Sequence, residues 1–462
     1  MSRVNVSGVL DNARQFGLPL LVILCGTLIL ILDGMDIQVI SLAAPVLTRE
    51  FHVAPASLGP VLAAALIGMA LGGFALGALG DRWGRRPTLL FSVALFSACT
   101  LLSATVHGID VLTGWRFLTG IGLGGAVPNA MALLAEFTGP RWRTQAIAVA
   151  GVGVPIGGMI GAVVASLVLP AFGWRPLFVI GGLAPLAVLA AMIFFLPESP
   201  RFLATLPDRR QALVKILNRL TGAAQYSISD EFEPADLAPK GRGGSFSVVI
   251  AESLLHDTCW IWLIFLTNMF AIFAIVSWSP VILSGIGLTL AVAVRGSIVF
   301  NLVGVCGGLI TAWMLARWGS RKPTAALAIL AIIALGVISI LLNNAAQAGK
   351  PPDIVPLFAM LGIVGFGMIG TQAAAYRLST HLYPTPIRSS GIGWAAGFGR
   401  VGGILSSLVA GWVLARIHGT GFFVMLCGVV TLTLIGVLFI KKQLLPIAAR
   451  SAPISEIAGI GQ

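Results

Sequence analysis

Asp33 and Asp36 stand three residues apart in a run, residues 18–47, that is otherwise almost wholly apolar. On a helix this spacing puts both carboxylates on roughly one face. A carboxylate in such a run is expensive to leave ionised, so its presence points to function. Two close carboxylates raise one another's proton affinity, which suits a group that must load and release a proton. Gly34 between them allows a bend or a close helix contact. Glu136, further along the chain, is open to two readings: a second proton relay, or a partner for Arg143.

The basic counterparts are Arg400 and Arg377. Arg400 lies twelve residues beyond Arg388, about 18 Å along a helix, which places it near the middle of a span. A guanidinium at that depth needs an anion, and its planar fork fits a carboxylate. It can anchor a substrate carboxylate or pair with Glu136. Arg377 sits about two turns before Pro384 and can bind a second carboxylate or snorkel to the interface. Gln38, Asn129, Asn268 and Gln372 can hydrogen-bond the substituents of a ring, or each other across helices. Phe270, Trp278, Trp394 and Phe398 can stack on a ring, or serve as ordinary core.

These residues need a membrane around them. Of the 462 residues 57% are hydrophobic and 10% charged, against about 25% charged in an ordinary soluble domain. Twelve runs approach the roughly 20 apolar residues of a spanning helix: 18–47, 57–79, 87–106, 112–136, 145–170 and 175–196, then 258–283, 291–316, 323–342, 354–382, 388–415 and 420–440. With both termini inside, 21 of the 29 Lys and Arg fall on inside segments, as the positive-inside rule requires. That distribution accounts for the net charge of +12 without nucleic acid. The first eighteen residues do not resemble a cleaved signal peptide. The five cysteines and five histidines show no metal-ligand or redox spacing.

The expected organisation is an N-terminal six-helix half (1–196), a central loop on the inside (197–257), a C-terminal half (258–441) and a tail (442–462). In the loop, Leu213, Ile216, Leu217 and Leu220 share a helical face, which reads as a helix lying on the membrane surface. Residues 227–244 read as a flexible linker. A shift of 235 residues brings Pro45 onto Pro280, Gly72-Gly73 onto Gly307-Gly308 and Gly84 onto Gly319; a shift of 245 brings Gly122 onto Gly367, Arg143 onto Arg388 and Gly157-Gly158 onto Gly402-Gly403. Parallel repeats of this size favour a rocker-switch carrier with substrate bound between halves.

Gly77-x-x-Gly80-Asp81-Arg82-x-Gly84-Arg85-Arg86 closely resembles the signature loop of the major facilitator superfamily. The glycines permit a tight turn and close helix contact. Asp81 is expected to pair with nearby basic groups, Arg143 being a candidate, in a network that opens and closes a gate on the inside. The copy in the second half is degraded, with Ala316 and Ser320 where an acid and a base should stand. Pro197-Glu198-Ser199-Pro200-Arg201 resembles a segment shared by sugar and organic-ion carriers of the superfamily. The aspartate pair with Pro45, the stretch Arg116 to Asn129 continuing to Glu136 and Arg143, Trp278-Ser-Pro280, and Tyr383 to Arg388 with Gly391-Ile-Gly-Trp394 and Gly397-Phe-Gly-Arg400 resemble the aromatic acid:H+ symporter family. That resemblance implies proton-coupled uptake of benzoate-like acids, with Asp33 and Asp36 as its functional acids. Tyr376-Arg377 departs from the family, which usually has small or amide residues there.

The reading is therefore an all-α integral membrane protein of the major facilitator fold in a bacterial inner membrane. It imports a small organic acid, an aromatic carboxylate such as benzoate or hydroxybenzoate, with protons as coupling ion and no other cofactor. No obligatory protein partner is expected. The rivals are a proton-antiport exporter, a transporter-like receptor for the acid and, weakest, a membrane enzyme, for which no catalytic constellation is visible.

Overall fold

The computed structural model describes residues 3–11, 17–223, 225–233, 252–384 and 387–444. Among these, twelve helices are long and apolar enough to cross a membrane. The first six spans are Leu18–Glu50, Pro55–Trp83, Arg85–Ser103, Ile109–Phe137, Gln145–Phe172 and Arg175–Phe195. The last six are Leu254–Gly285, Leu290–Trp318, Arg321–Ala348, Ile354–Leu382, Ser390–Arg416 and Gly419–Phe439. Helices run through Pro45, Pro128 and Pro280, as spans can where neighbours cover the freed backbone groups. Two compact units result: the first takes the first six spans, and the second takes the last six together with Val53–Gly59.

Glycine sets how closely the helices approach. A Cβ added to Gly34 would overlap the Val154 carbonyl, so the first and fifth spans touch backbone to backbone there. Without a hydrophobic drive between helices in lipid, such close approach and its van der Waals contact supply the cohesion. The two units repeat this device at matching positions. Gly72 abuts the Ile121 carbonyl and Gly307 that of Phe366; Gly157 abuts the Ile31 carbonyl and Gly402 that of Leu266. Arg143 Nε donates to the Thr138 carbonyl at 3.2 Å, and Arg388 Nε to the Tyr383 carbonyl at 3.4 Å. Gly84 (φ 107°) and Gly319 (φ 75°) make the two tight joints in the left-handed region that only glycine enters cheaply. Gly77 is different: a Cβ there meets nothing within 4 Å, so it is required by no close contact.

The central loop departs from expectation. Its helix, Arg210–Thr221, buries Leu213, Leu217 and Leu220 against protein. Val6, Leu10, Leu18, Val22 and Leu203 belong to the same cluster. The apolar face is thus covered by the chain's own N-terminal segment and first span, not laid on lipid. Within the stretch read as linker, Glu231–Glu233 forms a strand paired in parallel with Arg3–Asn5; residues 234–244 lie outside the described residues, as do 445–462 of the tail. The stretch Arg388–Phe439 keeps helical hydrogen bonding across the joint between the last two spans.

The glycine geometry separates two substitutions that look alike in sequence. Gly34→Ala should lower the unfolding temperature in detergent, since overpacking of this kind costs about 1–3 kcal/mol. Gly77→Ala should leave it unchanged or raise it, because alanine restricts the unfolded chain and is the better helix former.

Candidate functional site

Asp36 does not stand beside Asp33 as one of two uncompensated acids. Arg116, from the fourth span, reaches it with both arms of its guanidinium: Nη1 donates to Oδ1 at 2.9 Å and Nη2 to Oδ2 at 2.5 Å. Both side chains are almost wholly enclosed, at 1% and 3% exposure. Thr100 Oγ1 in the third span adds a longer bond to Asp36 at 3.4 Å. The immediate partner of Asp36 is therefore a guanidinium, in a buried ion pair. Such a pair is costly to bury, and removing one partner leaves an uncompensated charge. Asp33, three residues earlier, is also buried. Sequence reading missed Arg116 as a functional group, although its place inside the fourth span was a signal of the kind that flagged the aspartates.

Glu136 belongs elsewhere. It lies twenty residues beyond Arg116 on the same span, about 30 Å away at the helical rise. It accepts from Arg85 Nε at 3.0 Å and from the Ser199 hydroxyl, and not from Arg143. Asp81 likewise pairs with Arg85, at 2.8 Å. Arg143 approaches Asp11 at 3.6 Å instead, so its expected partnership with Asp81 or Glu136 is not formed. Glu198 completes this cluster by accepting from the backbone N–H groups of Arg85 and Arg86, both at 3.1 Å, at the start of the third span. A carboxylate suits the positive end of a helix. Burial pushes the Glu198 carboxyl up from its ordinary range, against the Ser199, Arg86 and Arg85 backbone donors that favour its charge. Arg86 donates to the Ile193 carbonyl at the end of the sixth span, at 2.7 Å. Arg82 is exposed. Gly80 sits against Asn129, whose Nδ2 donates to the Leu76 and Gly125 carbonyls. Asn129 thereby ties the second span to the fourth, and its amide donor is committed there rather than turned to a substrate.

The second unit holds the other candidates. Arg400 is half-buried within the eleventh span and makes no ion pair or hydrogen bond among the described residues. Its expected alternative partner, Glu136, is taken by Arg85 and Ser199. Asn268 Nδ2 donates to Gln372 Oε1 at 2.8 Å and to the Met368 carbonyl at 3.2 Å. Arg377 is exposed and donates to the Ala312 carbonyl at 3.1 Å, so it has snorkelled along the helices and is not held for a second carboxylate. Phe398 stacks on Trp262, with centroids 4.2 Å apart, and Trp278 packs where Gly411 leaves room. Both are core residues here, as is the buried Phe270. Trp394 is exposed. Gln38, in the first unit, is buried with its Nε2 lacking a partner.

The degraded second copy of the signature loop uses different partners. Ser320 Oγ donates to Gln443 Oε1 and accepts from Leu444 N–H, and Asp257 accepts from Lys441 and Lys442 N–H at 2.8 and 3.2 Å. The charged groups there, Asp257 and Arg321, bond backbone atoms rather than one another. Among the described residues no group of three or more His, Cys, Asp and Glu is placed to hold a metal ion.

Comparison with known proteins gives the family. Residues 26–376 match the family model of the Major Facilitator Superfamily. The 4-hydroxybenzoate transporter PcaK of Acinetobacter baylyi is 31% identical over 416 residues, 90% of this chain and 89% of its own. The gallate transporter of Pseudomonas putida is 31% identical, with 89% of each chain covered. The crystal structure of a D-xylose-proton symporter superposes with a TM-score of 0.69 at 19% identity, covering 95% of this chain and all of the other, a likeness of fold alone. The chain is a membrane transporter, not an enzyme, and belongs to the Major Facilitator Superfamily, within the family of aromatic-acid transporters that these relatives represent.

Proposed function

We propose that this protein imports an aromatic carboxylate together with protons, by alternating access across a bacterial inner membrane. The observation that carries the reading is Arg400: a guanidinium within a spanning helix with no anion beside it among the described residues. The cost of that charge in lipid is answered by a substrate carboxylate, for which its fork is the matching shape. The relatives named for 4-hydroxybenzoate, gallate and benzoate all handle such anions. The distribution of Lys and Arg supports both termini on the cytoplasmic side, and a single chain carries every group the reading needs.

The proton role falls to Asp36, with Asp33 one turn away as the entry point. Protonating Asp36 removes the charge that holds the Arg116 fork, so the tie between the first and fourth spans loosens when a proton is bound and re-forms when it leaves. The cluster of Asp81, Arg85, Glu136, Ser199 and Glu198, with Arg82 and Arg86 at its edge, acts as the gate on the cytoplasmic side. No other cofactor is required.

Uptake of labelled 4-hydroxybenzoate into proteoliposomes should rise when an inward proton gradient is imposed. Arg400→Ala should weaken substrate binding by roughly 10- to 100-fold, the worth of a hydrogen-bonded charge pair at about 1.5–3 kcal/mol; unchanged affinity would falsify the anchor. Asp36→Asn should abolish gradient-driven accumulation yet retain exchange of internal for external substrate. Accumulation that survives in the Asp36→Asn protein rules out a proton site there.

A further inference from the structure

Asn268 and Gln372 are joined to each other by one hydrogen bond and are both enclosed, at 1% and 8% exposure. Each still has an unsatisfied polar atom: Oδ1 of Asn268 and Nε2 of Gln372 have no partner. Buried amide atoms left without partners are uncommon and costly in a finished fold. Here they form a couple, one acceptor and one donor. The Met368 carbonyl, which can only accept, fixes which way Asn268 is drawn, and Asn268 in turn fixes Gln372. A hydroxyl is the small group that both donates and accepts. A carboxylate only accepts and an ammonium only donates.

The couple also lies in register with Arg400. Gln372 and Tyr376 are four residues apart in the tenth span, so they share a face and are separated by about 6 Å along the axis. The Cβ position of Gly399, beside Arg400, faces Phe265 and Met269 of the seventh span, the turn that carries Asn268. Phe265 in turn meets Tyr376 edge to face at 4.9 Å. Through Phe265, the helix position next to Arg400 and the face that carries Gln372 are thus neighbours within one unit.

We infer that Asn268 and Gln372 read a hydroxyl at the ring position opposite the carboxylate, and so select hydroxylated over plain aromatic acids. This rests on the aromatic-acid reading above and adds to it the pair that sets preference. A site built to bond a hydroxyl rejects an analogue lacking it, because its own buried groups are then left unpaired.

Titration calorimetry on the purified full chain, with benzoate, 4-hydroxybenzoate and 4-methoxybenzoate, tests it. The 4-hydroxy acid should bind at least about tenfold more tightly than both others, since the methoxy group can accept but not donate. Gln372→Met should erase most of that ratio by weakening the 4-hydroxy acid more than benzoate. Equal binding of the methoxy and hydroxy acids overturns the inference, as does a Gln372→Met protein that loses both acids by the same factor, the mark of a purely supporting role. If Gln372→Met does not fold, the wild-type series decides alone. A wild-type protein that binds no aromatic acid brings down the aromatic reading and this inference with it; equal binding of benzoate and 4-hydroxybenzoate brings down this inference only.

Discussion

Hydrocarbon offers no water to a charge, so every ionised group within these spans must be answered by protein or by cargo. The first unit answers internally: Asp36 has the Arg116 fork. In the second unit Arg400 makes no ion pair or hydrogen bond among the described residues. This contrast organises the molecule. The helices hold one buried charge against a fixed partner and leave the other without one among the described residues.

Holding them is a matter of backbone contact. The Arg116–Asp36 pair requires the first, third and fourth spans to approach closely. Gly34, Gly72, Gly120 and Gly122 bring neighbouring backbones together around these spans, where any side chain would separate the helices. The same device recurs in the second unit at Gly307, Gly365 and Gly402. The repeat is therefore visible in which backbone atoms touch, even where side chains have diverged. Charge chemistry did diverge: in the signature loop of the first unit carboxylates and guanidinium groups pair with each other, whereas at its counterpart near Ser320 the charged groups bond backbone atoms and the hydroxyl bonds an amide.

The charged and polar groups also sort by position. Asp36 and Glu136 look like two members of one acidic set in the sequence, yet twenty residues of helix separate Glu136 from the arginine that holds Asp36. Glu136 and Glu198 instead converge on Arg85 and the start of the third span. Asn129, Trp278, Phe270 and Phe398, plausible substrate contacts by type, are occupied with packing and backbone carbonyls.

The amino-acid sequence by itself determined the class, the number of spans, the repeat and the presence of charges that lipid would not tolerate. Those follow from composition, run length and the cost of burying ions, all of which are local or additive along the chain. Partner choice was not legible. That Asp36 meets Arg116, that Asp81 prefers Arg85 to Arg143, that Arg377 turns to the Ala312 carbonyl, and that the loop helix buries Leu217 against Val6 and Leu10 depend on which helix faces stand opposite each other. Helix pairing in lipid is decided by the fit of small residues along whole helices. An arginine or leucine therefore carries no local mark of the neighbour that packing will bring to it.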